Sequence, residues 1–285
     1  MKQIHWYPGH MAKTKREIKE RLKVIDIVVE LRDARAPYSS KNPLIETLTK
    51  GKPRMLILNK ADLAIKEELV KWQAYYQAKG VPTILLDSLR PNTLKKLLPE
   101  IERIAIPYRQ KEIARGRINR PIRMMILGIP NVGKSTLINA LANKSKLKVK
   151  DMPGVTKHLQ YIRVNKDLEL LDTPGILWPK FEEPEVAKKL ALLGAIKDDI
   201  LPLDDVAIFG FQYLDTYHKE VFEDRYEMEY SIEDVLTVYD GIAKKRGALL
   251  PGKETDYDRV NQLFLHDFRN QKFGRVMLDR VEEDV

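Results

Sequence analysis

The sequence predicts an α/β domain built on a mostly parallel sheet with helices on both faces, followed by a small all-helical domain. Three observations carry this reading. Short apolar runs alternate with charged helical stretches, a glycine-bearing loop joins one such run to a helix, and beyond residue 178 the spacing becomes purely helical. Residues 1–178 form the expected first domain and residues 179–285 the second.

In order along the chain, Met11 to Lys23 is helical in spacing and very basic, and it runs into Asp26-Ile27-Val28-Val29-Glu30-Leu31, a run of strand length. Similar runs recur at Met55–Leu58, Thr83–Leu86, Ile122–Leu127, Leu159–Val164 and Leu168–Leu171. Strands that read as continuous apolar runs, with helices between them, belong to a parallel sheet covered on both faces. The stretch from Tyr108 to Arg123 holds Arg109, Lys111, Arg115, Arg117, Arg120 and Arg123 against one acid and reads as a polar connector. From Pro184 onward, Val186, Leu190, Leu193 and Ile196 fall at helical spacing with acidic faces between them. No internal repeat or low-complexity tract interrupts the pattern.

Composition excludes several classes. At 285 residues and 44% hydrophobic content the chain can fill real cores, so disorder is excluded. With no cysteine, neither a disulfide framework nor a thiolate metal site is possible. No apolar run approaches the roughly 18 residues needed to span a bilayer, and the N-terminus lacks the apolar core of a signal peptide. A cytoplasmic protein without stable membrane association is the expectation. The net charge of +9 is unevenly spread: residues 1–178 carry 35 Lys and Arg against 17 Asp and Glu, and residues 179–285 carry 15 against 24. So large a basic excess in one half points to a polyanionic partner, nucleic acid first.

Gly128-Ile129-Pro130-Asn131-Val132-Gly133-Lys134-Ser135 fits the phosphate-loop pattern, after an apolar run and before the helical run Thr136 to Ala142. Its glycines let backbone N–H groups close around phosphates at a helix N-terminus. Asn131, Val132, Gly133, Lys134, Ser135 and Thr136 form the nucleotide-contacting stretch, with Lys134 reaching the outer phosphates and Ser135 ligating Mg2+. A phosphate loop does not name the base. Asn59-Lys60-Ala61-Asp62 does, because a carboxylate after a strand can accept both the N1 and N2 hydrogens of guanine, a donor pair adenine lacks. Asp87-Ser88, after the next strand, is a weaker candidate for touching the base. Asp172-Thr173-Pro174-Gly175 lies 38 residues after Lys134, a spacing that suits a second magnesium-side carboxylate in Asp172 and a γ-phosphate contact from the Gly175 amide. Thr156, in Pro153-Gly154-Val155-Thr156, offers a hydroxyl to complete the magnesium shell. GTP and GDP are therefore the expected ligands and Mg2+ the expected cofactor.

In ordinary GTPases the Asn-Lys-x-Asp motif comes last; here it precedes the phosphate loop. With that rotated order, and with Trp6-Tyr7-Pro8-Gly9-His10-Met11-Ala12-Lys13, Asp33-Ala34-Arg35-Ala36-Pro37 and Asp172-Thr173-Pro174-Gly175-Ile176-Leu177-Trp178-Pro179, the sequence closely resembles the bacterial ribosome biogenesis GTPase A family. The likeness spans nearly the whole chain, including Gly194-Ala195-Ile196 and Lys272-Phe273-Gly274-Arg275. It implies a circularly permuted P-loop GTPase acting late in assembly of the large (50S) ribosomal subunit. It further implies binding to 23S rRNA and ribosomal proteins, stimulation by the particle, and release coupled to hydrolysis.

Ile176 stands where Ras-like proteins place a water-orienting glutamine, and an aliphatic side chain cannot hydrogen-bond. The resembled family shares this substitution and gives importance to the histidine that maps to His10, which joins Lys134 as a catalytic candidate. In a group of GTPases with the same Pro-Asn-Val-Gly-Lys-Ser loop, the asparagine helps hold K+, which makes Asn131 the candidate here. Lys244, Lys245, Arg246, Arg269, Lys272 and Arg275 are the C-terminal candidates for RNA contact, a solvated helix face being the alternative. Two competing readings stand beside the assembly GTPase: a signalling or membrane-surface switch, and an RNA-modifying enzyme with an attached GTPase. The latter lacks a second catalytic constellation in residues 179–285.

Overall fold

A computed structural model describes residues 16–90, 95–116, 120–142, 160–164, 167–172 and 183–285. Among the described residues six strands form one sheet: β1 (Ile27–Asp33), β2 (Arg54–Asn59), β3 (Thr83–Leu86), β4 (Ile122–Gly128), β5 (Gln160–Arg163) and β6 (Leu168–Asp172). Their order is β3-β2-β1-β4-β6-β5, every pair parallel except β5 with β6. Each apolar run of the sequence is thus a strand. The chain builds outward from β1 to β3 on one wing, returns to the centre with β4, and fills the other wing. Where β1 and β4 lie side by side the direction of winding reverses, and a crevice opens beyond their carboxyl ends.

Helices sit where the apolar spacing places them. Val28, Met125 and Leu127 pack with Ile18 and Leu22 of the helical residues 16–22 and with Ile45 of α1 (Pro43–Leu48). Farther along the sheet, Leu56 and Leu58 pack under Leu69, Trp72 and Tyr76 of α2 (Lys66–Ala78). Fully burying each such aliphatic side chain contributes about 1.5–3 kcal/mol. α3 (Leu97–Ala114) packs on β1, β2 and β4, and α4 (Lys134–Ala142) on β4 and β6.

The start of the expected polar connector proves helical, because α3 continues through Pro107 to Ala114. A proline removes one intrahelical donor. Here the helix is anchored on both sides of that break, by Ile101 and Ala105 in the core and by Lys52, whose Nζ donates to the Tyr108 hydroxyl at 2.9 Å.

β1 is buried along its whole length although it contains Glu30, Arg32 and Asp33. Glu30 meets Arg32 Nε at 2.6 Å and Arg54 Nη2 at 2.7 Å, while Arg32 also donates to the Tyr76 hydroxyl at 2.8 Å. Burial alone would raise the pKa of Glu30, but Arg32 and Arg54 outweigh it and hold the carboxyl below its ordinary value.

The chain divides into two compact units, one of Met1–Phe181 with Met277–Val285, the other of Glu182–Val276. The expected second domain ran to residue 285, whereas its last nine residues cluster with the sheet. The reason is local packing. Met277 is buried among Leu56, Leu69 and Trp72, Leu278 N–H donates to Arg35 O at 2.7 Å, and Asp279 accepts from Ser39 N–H and Oγ, both at 2.7 Å.

The second unit is helical: α5 (Pro184–Leu192), α6 (Leu203–Tyr226), α7 (Val235–Arg246) and α8 (Tyr257–Arg269). Phe211, Phe222, Phe264 and Phe273 cluster at its centre, Phe211 stacked on Phe222 and the other rings meeting them edge-on. A Cβ on Gly210 would lie 2.5 Å from the Phe264 ring, so glycine is what lets α6 approach α8. α5 stops short of the expected Ile196 because Gly194 takes φ +71°. Among the described residues no helix is long and apolar enough to cross a membrane.

Candidate nucleotide site

The site lies at the crevice beyond β1 and β4. β4 leads directly into the phosphate loop, and Gly128 is required at the passage because a Cβ there would sit 2.4 Å from Leu31 O on the neighbouring strand. Asn131 (φ +57°) and Gly133 (φ +96°) take left-handed conformations that curl the loop, one of the few roles asparagine shares with glycine. α4 then starts at Lys134 and leaves its first N–H groups without intrahelical partners. Lys134 is only 7% exposed, and its side chain folds back so that Nζ donates to Ile129 O at 2.8 Å and Gly128 O at 3.2 Å. The ammonium therefore sits inside the curve of the loop. Helix N-terminus, loop amides and ammonium together make a cradle of positive potential suited to phosphate.

The Asn59–Asp62 turn arrives from the other wing. β2 ends at Asn59, Lys60 reverses the chain at φ +61°, and Ala61–Leu63 form a single 3-10 turn. Asn59 acts here as a strut: its Nδ2 donates to Val132 O at 2.9 Å, and its Oδ1 accepts from Ser88 Oγ at 2.6 Å and Ser88 N–H at 3.2 Å. One amide thus ties the β2 turn to the phosphate loop and to the loop after β3. Lys60 Nζ adds a second tie, donating to Asn131 O at 2.7 Å. The contact is close enough that a Cβ on Gly133 would meet Asn59 Nδ2 at 2.3 Å. Asp62, half-buried in the 3-10 turn, is the acidic member of the motif and stands in the turn that Asn59 and Lys60 hold. Asp87 accepts from Leu89 N–H at 2.9 Å and pairs with Arg90 at 3.0 Å, so it shapes the turn that presents Ser88.

Of the sequence-derived candidates, the structure brings together Asn59, Lys60, Ser88, Asn131, Val132 and Gly133 by direct contact or close approach, with Ala61 and Asp62 in the adjoining turn and Lys134, Ser135 and Thr136 opening α4. Asp172 closes β6, which runs parallel to β4, so its backbone lies at the same end of the sheet as the phosphate loop. His10, Thr156, Gly175 and Ile176 lie outside the described residues. Of the C-terminal cations, Arg269 donates to Ala191 O and Leu192 O and pairs with Asp198, Arg246 meets Asp267, and Lys245 meets Glu227. Lys244, Lys272 and Arg275 are exposed.

Two residues at the site were not given a role from sequence. Asp33, at the carboxyl end of β1, accepts a bidentate bond from Arg35 at 2.9 and 2.8 Å and pairs with Lys60 at 3.1 Å. The signal was present: a charged pair directly after an apolar strand run, two residues apart.

A doubly wound sheet with a phosphate loop at its switch point, and an Asn-Lys-x-Asp turn that precedes that loop in sequence yet touches it in space, defines a circularly permuted P-loop GTPase. Comparison with known proteins agrees. The profile described as 50S ribosome-binding GTPase matches residues 123–237, beginning inside β4. Ribosome biogenesis GTPase A of Bacillus licheniformis is 46% identical over 98% of this chain and 99% of that protein, and that of Thermotoga maritima is 32% identical over 98% and 95%. The solved structure of GNP-bound YlqF from T. maritima superposes with a TM-score of 0.65 at 29% identity, covering 96% of this chain and all of that one. The chain belongs to the ribosome biogenesis GTPase A family, and it is a GTP hydrolase.

Phosphoryl transfer asks a protein mainly for positioning and electrostatic stabilisation. A cradle of this kind can supply both. Its donors are fixed by the fold, so little reorganisation is required as negative charge shifts toward the leaving oxygen.

Proposed function

We propose that this GTPase binds the maturing 50S subunit through 23S rRNA and ribosomal proteins and couples GTP hydrolysis to a late assembly step and to its own release. The observation that carries the proposal is kinship along the full chain with proteins named for ribosome biogenesis, at 44–46% identity in several Bacillus relatives. The basic excess of residues 1–178, 35 cations against 17 anions, supports an RNA partner recognised through its phosphates.

Mg2+ suits the donor set. A serine hydroxyl, a threonine hydroxyl and a carboxylate are oxygen donors, the ligands a hard divalent ion takes where substrate phosphates supply the rest of its shell. Ser135, at the second position of α4, would hold the ion together with Asp172 and Thr156; bound there, it would neutralise charge developing on the phosphates. K+ beside Asn131 would add to that charge in place of an arginine. His10 would orient or deprotonate the attacking water, a task Ile176 cannot perform.

Sedimentation of cell extract in a non-hydrolysable GTP analogue tests the reading. Comigration with large-subunit particles is expected, and recovery on membranes without ribosomes would refute it in favour of a membrane-surface switch. Turnover stimulated by purified large subunits is expected to be higher in K+ than in Na+ and to collapse in His10→Ala at nearly unchanged GTP affinity. Equal rates in the two salts would remove potassium from the mechanism, and an unimpaired His10→Ala variant would remove the histidine.

A further inference from the structure

The guanine-reading turn follows β2 and the phosphate cradle follows β4, with β1 between them, so their separation must be set by something other than the backbone of either. Two side chains span them: Asn59, whose Nδ2 donates to Val132 O at 2.9 Å, and Lys60, whose Nζ reaches Asn131 O at 2.7 Å. A lysine stem is flexible, and its ammonium is held only as well as its partners hold it.

Here the second partner is unusually rigid. Asp33 is 2% exposed and Arg35 3%, and the guanidinium grips both carboxylate oxygens, Nε to Oδ1 at 2.9 Å and Nη2 to Oδ2 at 2.8 Å. This fork fixes the plane of the carboxylate. The Arg35 N–H adds a further bond to Oδ1 at 3.1 Å, and Lys60 Nζ sits 3.1 Å from Oδ2. Backbone bonds fasten the same segment on both sides: Ala34 N–H donates to Asn59 O at 2.8 Å, and Leu278 N–H donates to Arg35 O at 2.7 Å. Burial alone would raise the pKa of Asp33, yet Arg35 and Lys60 hold it well below the usual carboxylate range, so the anchor stays charged. Arg35 in turn feels the carboxylate of Asp62, the base reader, as a further attraction.

We propose that Asp33 and Arg35 are positioning residues for nucleotide binding. The carboxylate locked by Arg35 holds the Lys60 ammonium against the phosphate loop, and so sets the base-reading turn at a fixed separation from the phosphate cradle before the nucleotide arrives. Neither residue need touch the nucleotide. Their contribution is preorganisation, which lengthens the residence of guanine nucleotides by removing an ordering step from binding.

The test is a mutant cycle read by the dissociation rate of fluorescent N-methylanthraniloyl-GDP from the full-length protein. Asp33→Asn alone leaves Arg35 buried with a weakened partner, which can cost stability. The paired change Asp33→Leu with Arg35→Met removes both charges together and leaves no bare buried ion. Release from the paired variant is expected to be about tenfold faster than from wild type, tenfold corresponding to about 1.4 kcal/mol. Asp33→Asn should show the same direction of change. Adding Lys60→Met to the paired variant should accelerate release less than twofold beyond Lys60→Met alone, because both act through one ammonium. A purely structural role would lower the unfolding midpoint of the nucleotide-free protein without that non-additivity. Release from the paired variant within twofold of wild type would overturn the proposal, as would multiplication of the two effects in the triple variant.

Discussion

Lys134→Ala is expected to lower the rate of GTP hydrolysis by about 10²-fold or more, and to weaken GTP and GDP binding as well. The reason is position more than charge alone. Lys134 is nearly buried, and its Nζ is held by Ile129 O and Gly128 O inside the phosphate loop. A prepositioned donor aimed at charge that develops in the transition state is worth roughly 10²–10³ in rate. A bond from an ammonium to phosphate adds about 1.5–3 kcal/mol in the ground state. Removing it also leaves two loop carbonyls without this donor, so the loop itself should relax. Single-turnover phosphate release and nucleotide titration separate the two losses, and a variant within threefold of wild type in both would show that the ammonium does not face the phosphates.

Asp279→Ala is expected to destabilise the sheet-bearing unit by about 3 kcal/mol, since it removes two hydrogen bonds to a buried carboxylate and leaves the Ser39 N–H and hydroxyl unsatisfied. For a unit of this size that corresponds to a fall of roughly 6–12 °C in melting temperature. The effect reaches beyond the carboxylate, because the same turn brings the Asp279 carbonyl to Trp72 Nε1 at 3.1 Å and Met277 into the core beneath α2. Differential scanning calorimetry reads it directly, and a shift under 2 °C would mean that Asp279 does not secure the returning tail.

The return of that tail shows where the sequence stopped being legible. The strands could be read because a parallel sheet covered on both faces demands continuous apolar runs, and Met55–Leu58 or Ile122–Leu127 can hardly be anything else. The phosphate loop was equally plain, since its chemistry needs glycine, lysine and serine at set spacing. By contrast Val276-Met277-Leu278 is a three-residue apolar step among charges, and the partners on which Met277 and Leu278 dock, Trp72 and Arg35, lie more than 200 residues away in sequence. No local pattern encodes such a contact. The charges of β1 were hidden for a related reason: Glu30 and Asp33 argue against burial until Arg32, Arg54 and Arg35 are placed beside them by the fold. In the Asn59–Asp62 turn, spacing marked the residues but could not divide the labour: Asn59 and Lys60 are struts on the phosphate loop, and Asp62 is the residue we propose as the reader of the base.

That division makes Asp62→Asn the most direct test of the central claim, that residues preceding the phosphate loop in sequence complete its nucleotide site in space. An amide cannot accept both guanine donors, but its N–H2 can donate to the additional carbonyl of xanthine. Dissociation constants for GDP and XDP, measured on wild type and on Asp62→Asn, are the decisive quantities. The variant is expected to lose GDP affinity by about 10²-fold and to gain affinity for XDP, inverting the preference. Unchanged preference for guanine, in a variant that still binds nucleotide, would contradict that claim and place base recognition elsewhere in the chain.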